Sequence, residues 1–208
     1  MQLCKKLVVA VLTIPMLFSP THAAQEQLVL NYDGFFDRLD DLNEPEYADV
    51  TLGFFFKQLK SGKPCQIKSA RLQSQTDSRA VYFLESGEVL LPFDEQLDMD
   101  KAKLIIEKFD AVECGLNMQL QTKSLLQKTL STTKVNKLVN TFDLALDELA
   151  GMMSFLMPDV HGITFIGNGK EPLTLINNSA SVCTESGCTL SREQLNKAGQ
   201  QLVFNYPP

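Results

Sequence analysis

The sequence predicts an α+β protein, an antiparallel β-sandwich-like domain with one long amphipathic helix packed against it. Three observations support this fold class. Short segments of alternating apolar and polar residues recur at roughly ten-residue spacing in the first half of the chain. A long stretch with helical apolar spacing follows, and strand-like segments separated by loops complete the chain. We expect these zones to form a single domain over residues 24–208, because that length suits one hydrophobic core.

The β-rich part covers residues 24–123. Its clearest alternation places Leu116 and Met118 on one face of a strand and Asn117 and Gln119 on the other. The other segments with strand character are DVTLGFFFKQL, CQIKSARLQSQ, two apolar runs around a Ser-Gly turn in RAVYFLESGEVLLPFD, and KAKLIIEKF. The earlier segment YDGFFDRLDDL is typical of a short amphipathic helix or a turn.

The predicted long helix covers residues 131–157. From Val135 to Leu156, apolar side chains recur every three or four residues, and polar side chains fall mostly on the opposite face. Ser131 offers an N-cap oxygen, and Pro158 ends the helix because proline excludes the preceding residue from helical conformation. The apolar stripe must be covered, and the apolar face of the sheet is the available partner.

The C-terminal part, residues 159–208, mixes strands and loops. GITFIG, EPLTLIN and QQLVFNY have strand character, whereas TLSREQLNKAG predicts a short helix that ends near Gly199.

The N-terminus has the layout of a cleaved secretory signal peptide over residues 1–23. Lys5 and Lys6 precede an apolar run, and Ala23 ends a small-residue cleavage pattern. The run is about a dozen residues, shorter than the ~20 that span a bilayer, and no later segment is apolar enough to span one. We therefore expect export to the periplasm without a transmembrane segment after cleavage.

The charge balance limits the partners. Removing Lys5 and Lys6 leaves 17 basic residues against 25 acidic ones, a formal charge near −8. An acidic chain without a basic run is unsuited to bind nucleic acid or anionic lipid.

Four cysteines remain after cleavage, and an even number in an exported chain predicts disulfides. Of the three pairings, Cys183 with Cys188 is the easiest to close, and Cys65 would then bond to Cys114. A zinc site is the rival, but Cys65 and Cys114 are solitary, and metal-ligand pairs are normally closely spaced. No Cys-x-x-Cys redox motif is present.

Catalytic and cofactor motifs are weak. His161 is the only histidine outside the predicted leader, and a loop histidine without a nucleophile elbow is more often structural. Asp94 and Glu95 lie in an acidic cluster with Asp98 and Asp100, but the cluster lacks the glycine and glutamate of a calcium loop. The sequence therefore predicts no catalytic residue, metal site or cofactor.

The segment GMMSFLMP is apolar on all sides. Deep burial is the simpler interpretation of Met152, Met153, Phe155 and Met157. The functional interpretation is a soft apolar surface for a peptide, a lipid or another apolar ligand.

Several segments resemble the DUF2987 family, a group of uncharacterised exported proteins of gamma-proteobacteria. The resemblance is carried by the aromatic pair after Gly34, by GKPCQI, by LLPFDEQLDMDKA and by the cysteine of CGLNMQLQTK. It implies a periplasmic protein with paired cysteines, and it transfers no catalytic residue.

The leading functional hypothesis is a non-enzymatic periplasmic protein with a binding or accessory role at the cell envelope, whose partner is an envelope protein or an apolar ligand. Two alternatives stay open. One is a carrier of an apolar ligand or peptide that uses the methionine-rich segment. The other is a carboxylate-dependent hydrolase that uses Asp94 and Glu95.

Overall fold

The structure is a computed structural model that describes residues 27–208 except 110, 157, 168–170, 178–181 and 185–186. The side chains at positions 155, 156 and 182 are also outside the description. The predicted signal peptide, residues 1–23, lies outside the described residues.

The described elements are runs of strands separated by four α-helices, of which α3 is the longest. The strands are β1 (Gln27–Asn31), β2 (Val50–Gln58), β3 (Ile67–Gln73), β4 (Ser78–Ala80), β5 (Glu88–Val89), β6 (Lys103–Lys108), β7 (Cys114–Thr122), β8 (Thr129–Ser131), β9 (Gly162–Phe165), β10 (Val182–Thr184), β11 (Gly187–Ser191) and β12 (Gln201–Val203). The α-helices are α1 (Asp33–Asp41), α2 (Glu95–Met99), α3 (Thr132–Ala150) and α4 (Arg192–Lys197), and 3₁₀ turns cover Pro45–Tyr47 and Gly151–Leu156.

The strand pairings are antiparallel and form several small sheets. One sheet has the order β1-β6-β3-β4, and a second has the order β5-β2-β7. In the C-terminal part, β10, β11 and β9 form a third sheet, and β12 pairs with β8. The predicted fold class is confirmed: the protein is mixed α and β, mostly antiparallel and roughly sandwich-like, with one long helix.

The core is built from the inner faces of the two larger sheets. Phe54 and Phe56 of β2 and Leu104 and Ile106 of β6 are almost completely buried. The ring of Phe35 in α1 meets that of Phe54 edge to face, with centroids 4.9 Å apart. Alternation along each strand delivers these side chains to one face, as the sequence pattern predicts.

Helix α3 packs along its apolar stripe against β2, β7, β8, α1 and α4. Val135, Val139, Phe142 and Ala145 are its buried apolar residues, and their spacing is that of one helical face. No helix among the described residues is long and apolar enough to cross a bilayer.

The long helix is shorter than the predicted range 131–157. It ends at Ala150 because Gly151 takes a positive φ of 52°, a conformation that a residue with a side chain rarely adopts. A 3₁₀ turn over Gly151–Leu156 continues the chain. The apolar spacing beyond Gly151 therefore reflects this turn and not another turn of α-helix.

Candidate functional site

The two predicted disulfides are present. Cys65 precedes β3 and Cys114 begins β7, with their Cα atoms 6.3 Å apart. The Cys65–Cys114 bond therefore fixes the start of β3 to the edge strand of the neighbouring sheet. Cys65 is 5% exposed, so this end of the bond lies in the core.

The second disulfide links Cys183 and Cys188, which lie directly opposite each other in the β10–β11 hairpin. Gly187 has a φ of 144°, and a Cβ there would lie 2.2 Å from the carbonyl oxygen of Phe165. Glycine is thus required less for the turn than for the close approach of β9. Paired cysteines fit a protein that reaches an oxidising compartment.

An apolar cleft of about 540 Å³ opens beside the first disulfide. It is formed by four separate parts of the chain. The lining residues are Gln58, Lys63, Pro64, Cys65, Gln66, Ile67, Phe83, Leu84, Glu85 and Phe109.

Backbone hydrogen bonds hold the walls of this cleft in place. Phe56 is central, because its N–H donates to Gly87 O at 2.8 Å and its carbonyl accepts from the N–H of Cys65 at 2.9 Å. On the opposite wall, the N–H of Phe109 donates to Gln66 O at 3.1 Å. The lining segments are therefore fixed by paired backbone groups and not by loop packing alone.

Gly87 shapes the same wall. Its φ is 81°, and a Cβ at this position would lie 2.5 Å from the carbonyl oxygen of Phe56. The predicted Ser86-Gly87 turn is therefore present, and only glycine lets the chain turn there against β2.

The cleft combines apolar walls with a polar rim. Leu84 and Phe109 are 49% and 69% exposed, and they are distinguished from other exposed apolar side chains by lining the same cleft. The rim carries one lysine, Lys63, and one glutamate, Glu85, so the lining charges balance. Apolar clefts with a few polar groups are the common form of binding site for small molecules and peptide segments.

The methionine-rich segment lies at the surface. Met152 is 94% exposed and Met153 is 55% exposed, so the deep burial considered above does not apply to these two residues. Neither residue lines the cleft. The side chain of Phe155 and the whole of Met157 lie outside the described residues.

Asp94 has a structural position. Its side chain caps α2 by accepting hydrogen bonds from the N–H groups of Gln96 and Leu97, and Arg79 pairs with it at 2.9 Å. The Arg79 hydrogen bond holds the pKa of the Asp94 carboxyl below its ordinary value. Glu95 is exposed on the first turn of α2.

The hydroxyl of Tyr32 lies against the same segment. It donates to Pro92 O and accepts from the N–H of Asp94 at 3.1 Å. Burial raises the pKa of this phenol, and the nearby carboxylates of Asp94 and Asp98 raise it further. These bonds anchor the segment before α2 to the start of α1.

His161 is exposed, and its carbonyl oxygen accepts from the N–H of Arg192 at 2.9 Å. Within the described residues, no group of three or more His, Cys, Asp or Glu side chains has the arrangement of a metal site. The side chain of Asn177 donates to Gln201 O and accepts from the N–H of Val203.

Sequence reasoning missed the apolar residues of the cleft. Phe83, Leu84 and Phe109 are apolar residues near strand ends, and nothing in the pattern separates them from core residues. One sequence signal was available for Phe109 as a cleft residue: it directly follows the charged pair in EKF, at the end of β6.

Comparison with known proteins gives one match. A family model described as a protein of unknown function, DUF2987, matches residues 24–166. No curated protein and no solved structure is matched. The matched span includes Cys65, Cys114 and the whole cleft and ends just after β9. Because it covers well over half of the chain, the chain belongs to the DUF2987 family.

Proposed function

We propose that this chain is a non-enzymatic, periplasmic binding protein of the cell envelope, and that it holds an apolar segment of an envelope protein in the cleft beside Cys65–Cys114. The observation that carries the proposal is the pair of exposed apolar side chains, Leu84 and Phe109, that line the same cleft. A cleft held by a disulfide and by backbone hydrogen bonds loses little entropy on binding, which favours affinity.

The chemistry of the lining supports an apolar segment as ligand. Ile67, Phe83, Leu84 and Phe109 supply an apolar surface, and each large side chain covered there contributes about 1.5–3 kcal/mol at full burial. The polar side chains at the rim can pair with the backbone of a bound segment, which would otherwise lose its hydrogen bonds to water.

The proposed location rests on two features. The predicted leader over residues 1–23 directs export, and the two disulfides fit the oxidising periplasm. The non-enzymatic role rests on the acidic pair that the hydrolase alternative would need. Asp94 caps a helix and pairs with Arg79, and Glu95 is an exposed neighbour, which supports a structural role for Asp94 over general acid–base catalysis.

Photocrosslinking in the periplasm tests the proposal. A photoreactive phenylalanine analogue is placed at position 109 or 84, and at position 125 as a control, because Leu125 is 95% exposed and lies near the other end of the β2–β7 pair. We expect one crosslinked envelope partner from positions 109 and 84 but not from 125. Equal crosslinking from all three positions, or none from the cleft, would contradict the proposal.

Alanine variants separate binding from folding. Phe109→Ala combined with Leu84→Ala should reduce capture of that partner about tenfold or more while leaving the unfolding midpoint nearly unchanged, since both side chains are largely exposed. Tyr82→Ala is the matched control, because Tyr82 is 84% exposed and does not line the cleft.

A second candidate is a carrier of an apolar ligand, favoured by the exposure of Met152 and Met153. Methionine side chains adapt to ligands of different shape. Native mass spectrometry of the periplasmic protein distinguishes the two proposals. A lipid-sized adduct that is lost in a Met152→Ser, Met153→Ser variant supports the carrier, and an adduct-free protein contradicts it.

A further inference from the structure

In the part of the chain that the structure describes, strand β7 (Cys114–Thr122) has a neighbouring strand on one side only. It is the last strand in the order β5-β2-β7, and it pairs with β2 along its whole length, from Val50 opposite Thr122 to Gln58 opposite Cys114. Among the described strands that lie at sheet edges, no other is longer than five residues. The nine residues of β7 therefore form the longest template for strand addition in the described part of the chain.

The register identifies the backbone groups that face outward. Leu59 N–H donates to Glu113 O, and Lys123 N–H donates to Asp49 O, so the odd-numbered residues of β7 direct their backbone groups to β2. The N–H and C=O groups of Leu116, Met118 and Leu120 point away from β2. No backbone partner for these groups is found within the described residues.

The sequence of β7 lacks the usual protection of an exposed edge. The strand CGLNMQLQT contains no charged residue and no proline. By contrast, the edge strand β4 is only three residues long and carries Arg79. Leu116 and Met118 are 37% and 43% exposed along the open edge. A long, uncharged and partly apolar edge is the kind that pairs with another strand.

A second copy of the same strand fits this edge. Only one antiparallel register pairs all nine residues of β7 with a second β7, and its two-fold axis passes between the two Met118 residues. Leu116 then lies opposite Leu120 of the other copy, and Asn117 lies opposite Gln119. At these central positions apolar residues face apolar residues and amides face amides, whereas Cys114 and Gly115 lie opposite Thr122 and Gln121, and no charges oppose each other.

We propose that two copies of this protein associate through antiparallel pairing of their β7 strands about a two-fold axis at Met118, which joins the two β5-β2-β7 sheets into one continuous sheet. No residue of β7 lines the cleft, and the two features are joined through Cys114, the first residue of β7, which is bonded to Cys65 in the cleft lining. The association covers the side chains of Leu116 and Met118 and satisfies the outward backbone groups.

Cysteine crosslinking of the full mature protein tests the register. In this pairing the two Met118 Cα atoms lie about 5.5 Å apart, within the range of a disulfide, whereas the two Leu116 Cα atoms are offset by four residues, roughly 13 Å. We expect Met118→Cys to form covalent dimers under mild oxidation, and Leu116→Cys, the matched control, to form few. Equal crosslinking of the two variants, or none, overturns the proposal.

Sedimentation equilibrium tests the association itself. The unmodified protein should show a monomer–dimer equilibrium, and Met118→Lys should raise the dimer dissociation constant about tenfold or more by placing two ammonium groups at the axis. Leu125→Lys is the control, since it adds the same charge at an exposed apolar position off the strand. A monomeric unmodified protein, or a folded Met118→Lys variant that dimerises as well as the control, overturns the proposal. If Met118→Lys does not fold, the comparison of Met118→Cys with Leu116→Cys decides whether the proposed pairing is correct.

Discussion

The two disulfides hold two regions of this molecule in different ways. Cys65–Cys114 closes a ring with a sequence separation of 49 and joins the start of β3 to the edge strand β7. Cys183–Cys188 has a separation of 5 and closes a single hairpin. Since the entropy that a crosslink removes from the unfolded chain grows with ring size, the first bond supports the arrangement of whole sheets and the second only a turn.

The C-terminal region is also held by the polar contacts of Arg192, which we call the polar anchor. The guanidinium of Arg192 in α4 donates to Val160 O at 2.6 Å and to Asn140 Oδ1 at 2.7 Å, and it pairs with Asp143 of α3. The other carboxylate oxygen of Asp143 accepts from the N–H of Val160 at 2.6 Å. One ion pair thus ties the start of α4 and the segment before β9 to the long helix.

The largest effect is expected from the long ring. Replacing Cys65 and Cys114 together by alanine should lower the free energy of unfolding by about 4 kcal/mol, because the unfolded chain regains the loop entropy. Urea denaturation of the two oxidised proteins measures the difference. If this variant loses less free energy of unfolding than the variant without Cys183–Cys188, then Cys65–Cys114 is not the main covalent constraint.

The Cys183–Cys188 bond should contribute about half as much to the free energy of unfolding. Alanine at Cys183 and Cys188 should cost about 2 kcal/mol. Hydrogen exchange should show faster exchange in β10 and β11, while amides of β2 and β7 keep their relative protection. Uniform loss of protection across both regions would mean that the hairpin is not a local unit.

The next largest loss of stability is expected when the polar anchor at Arg192 is removed. Arg192→Ala should destabilise the protein by about 1–2 kcal/mol, because it removes the guanidinium that pairs with Asp143 and donates to Asn140 Oδ1 and Val160 O. Lys197→Ala is the matched control, since the Lys197–Glu193 pair is exposed on the same helix and should contribute only tenths of a kcal/mol. Thermal unfolding of both variants checks the ranking, and equal shifts would refute it.

The smallest effect concerns the cap of α2 in the N-terminal region. Asp94→Ala should cost about 1 kcal/mol at neutral pH, and Asp94→Asn less, because an amide oxygen can still cap the helix.

Asp94 also makes stability depend on pH. Arg79 keeps the pKa of Asp94 lower in the folded state than in the unfolded chain. The stabilisation is therefore complete above the ordinary carboxyl pKa near 4 and is lost as the pH falls through the lower, folded-state pKa. Urea titrations at several pH values should give a shallower acid-side decline for Asp94→Asn. An unchanged slope would contradict the role given to Arg79.

The strands were predictable where one face is buried. The alternation in β7 and the apolar run of β2 specify both elements, because a slip of one residue would move every buried side chain to the other face. The short helix predicted in TLSREQLNKAG is present as α4, and the structure adds a capping box formed by Ser191 and Gln194. The disulfide pairing followed from spacing and parity.

Other features depend on long-range packing and were not predictable. The five-residue helix α2 is too short for a periodic pattern. The segment EPLTLIN suggested a strand, but its only described pairing is a single bridge between Leu175 and Phe204. The cleft needs four segments to converge, and no local pattern records that convergence.

Peptide mapping of the protein recovered from the periplasm, under non-reducing conditions, tests most directly the claim that the chain is exported and its four remaining cysteines form two disulfides. The account predicts a mature chain that begins at Ala24, one linked peptide pair containing Cys65 and Cys114, one linkage between Cys183 and Cys188, and no alkylatable thiol. A cytosolic protein that keeps its leader, with these four cysteines free to react, would contradict the account.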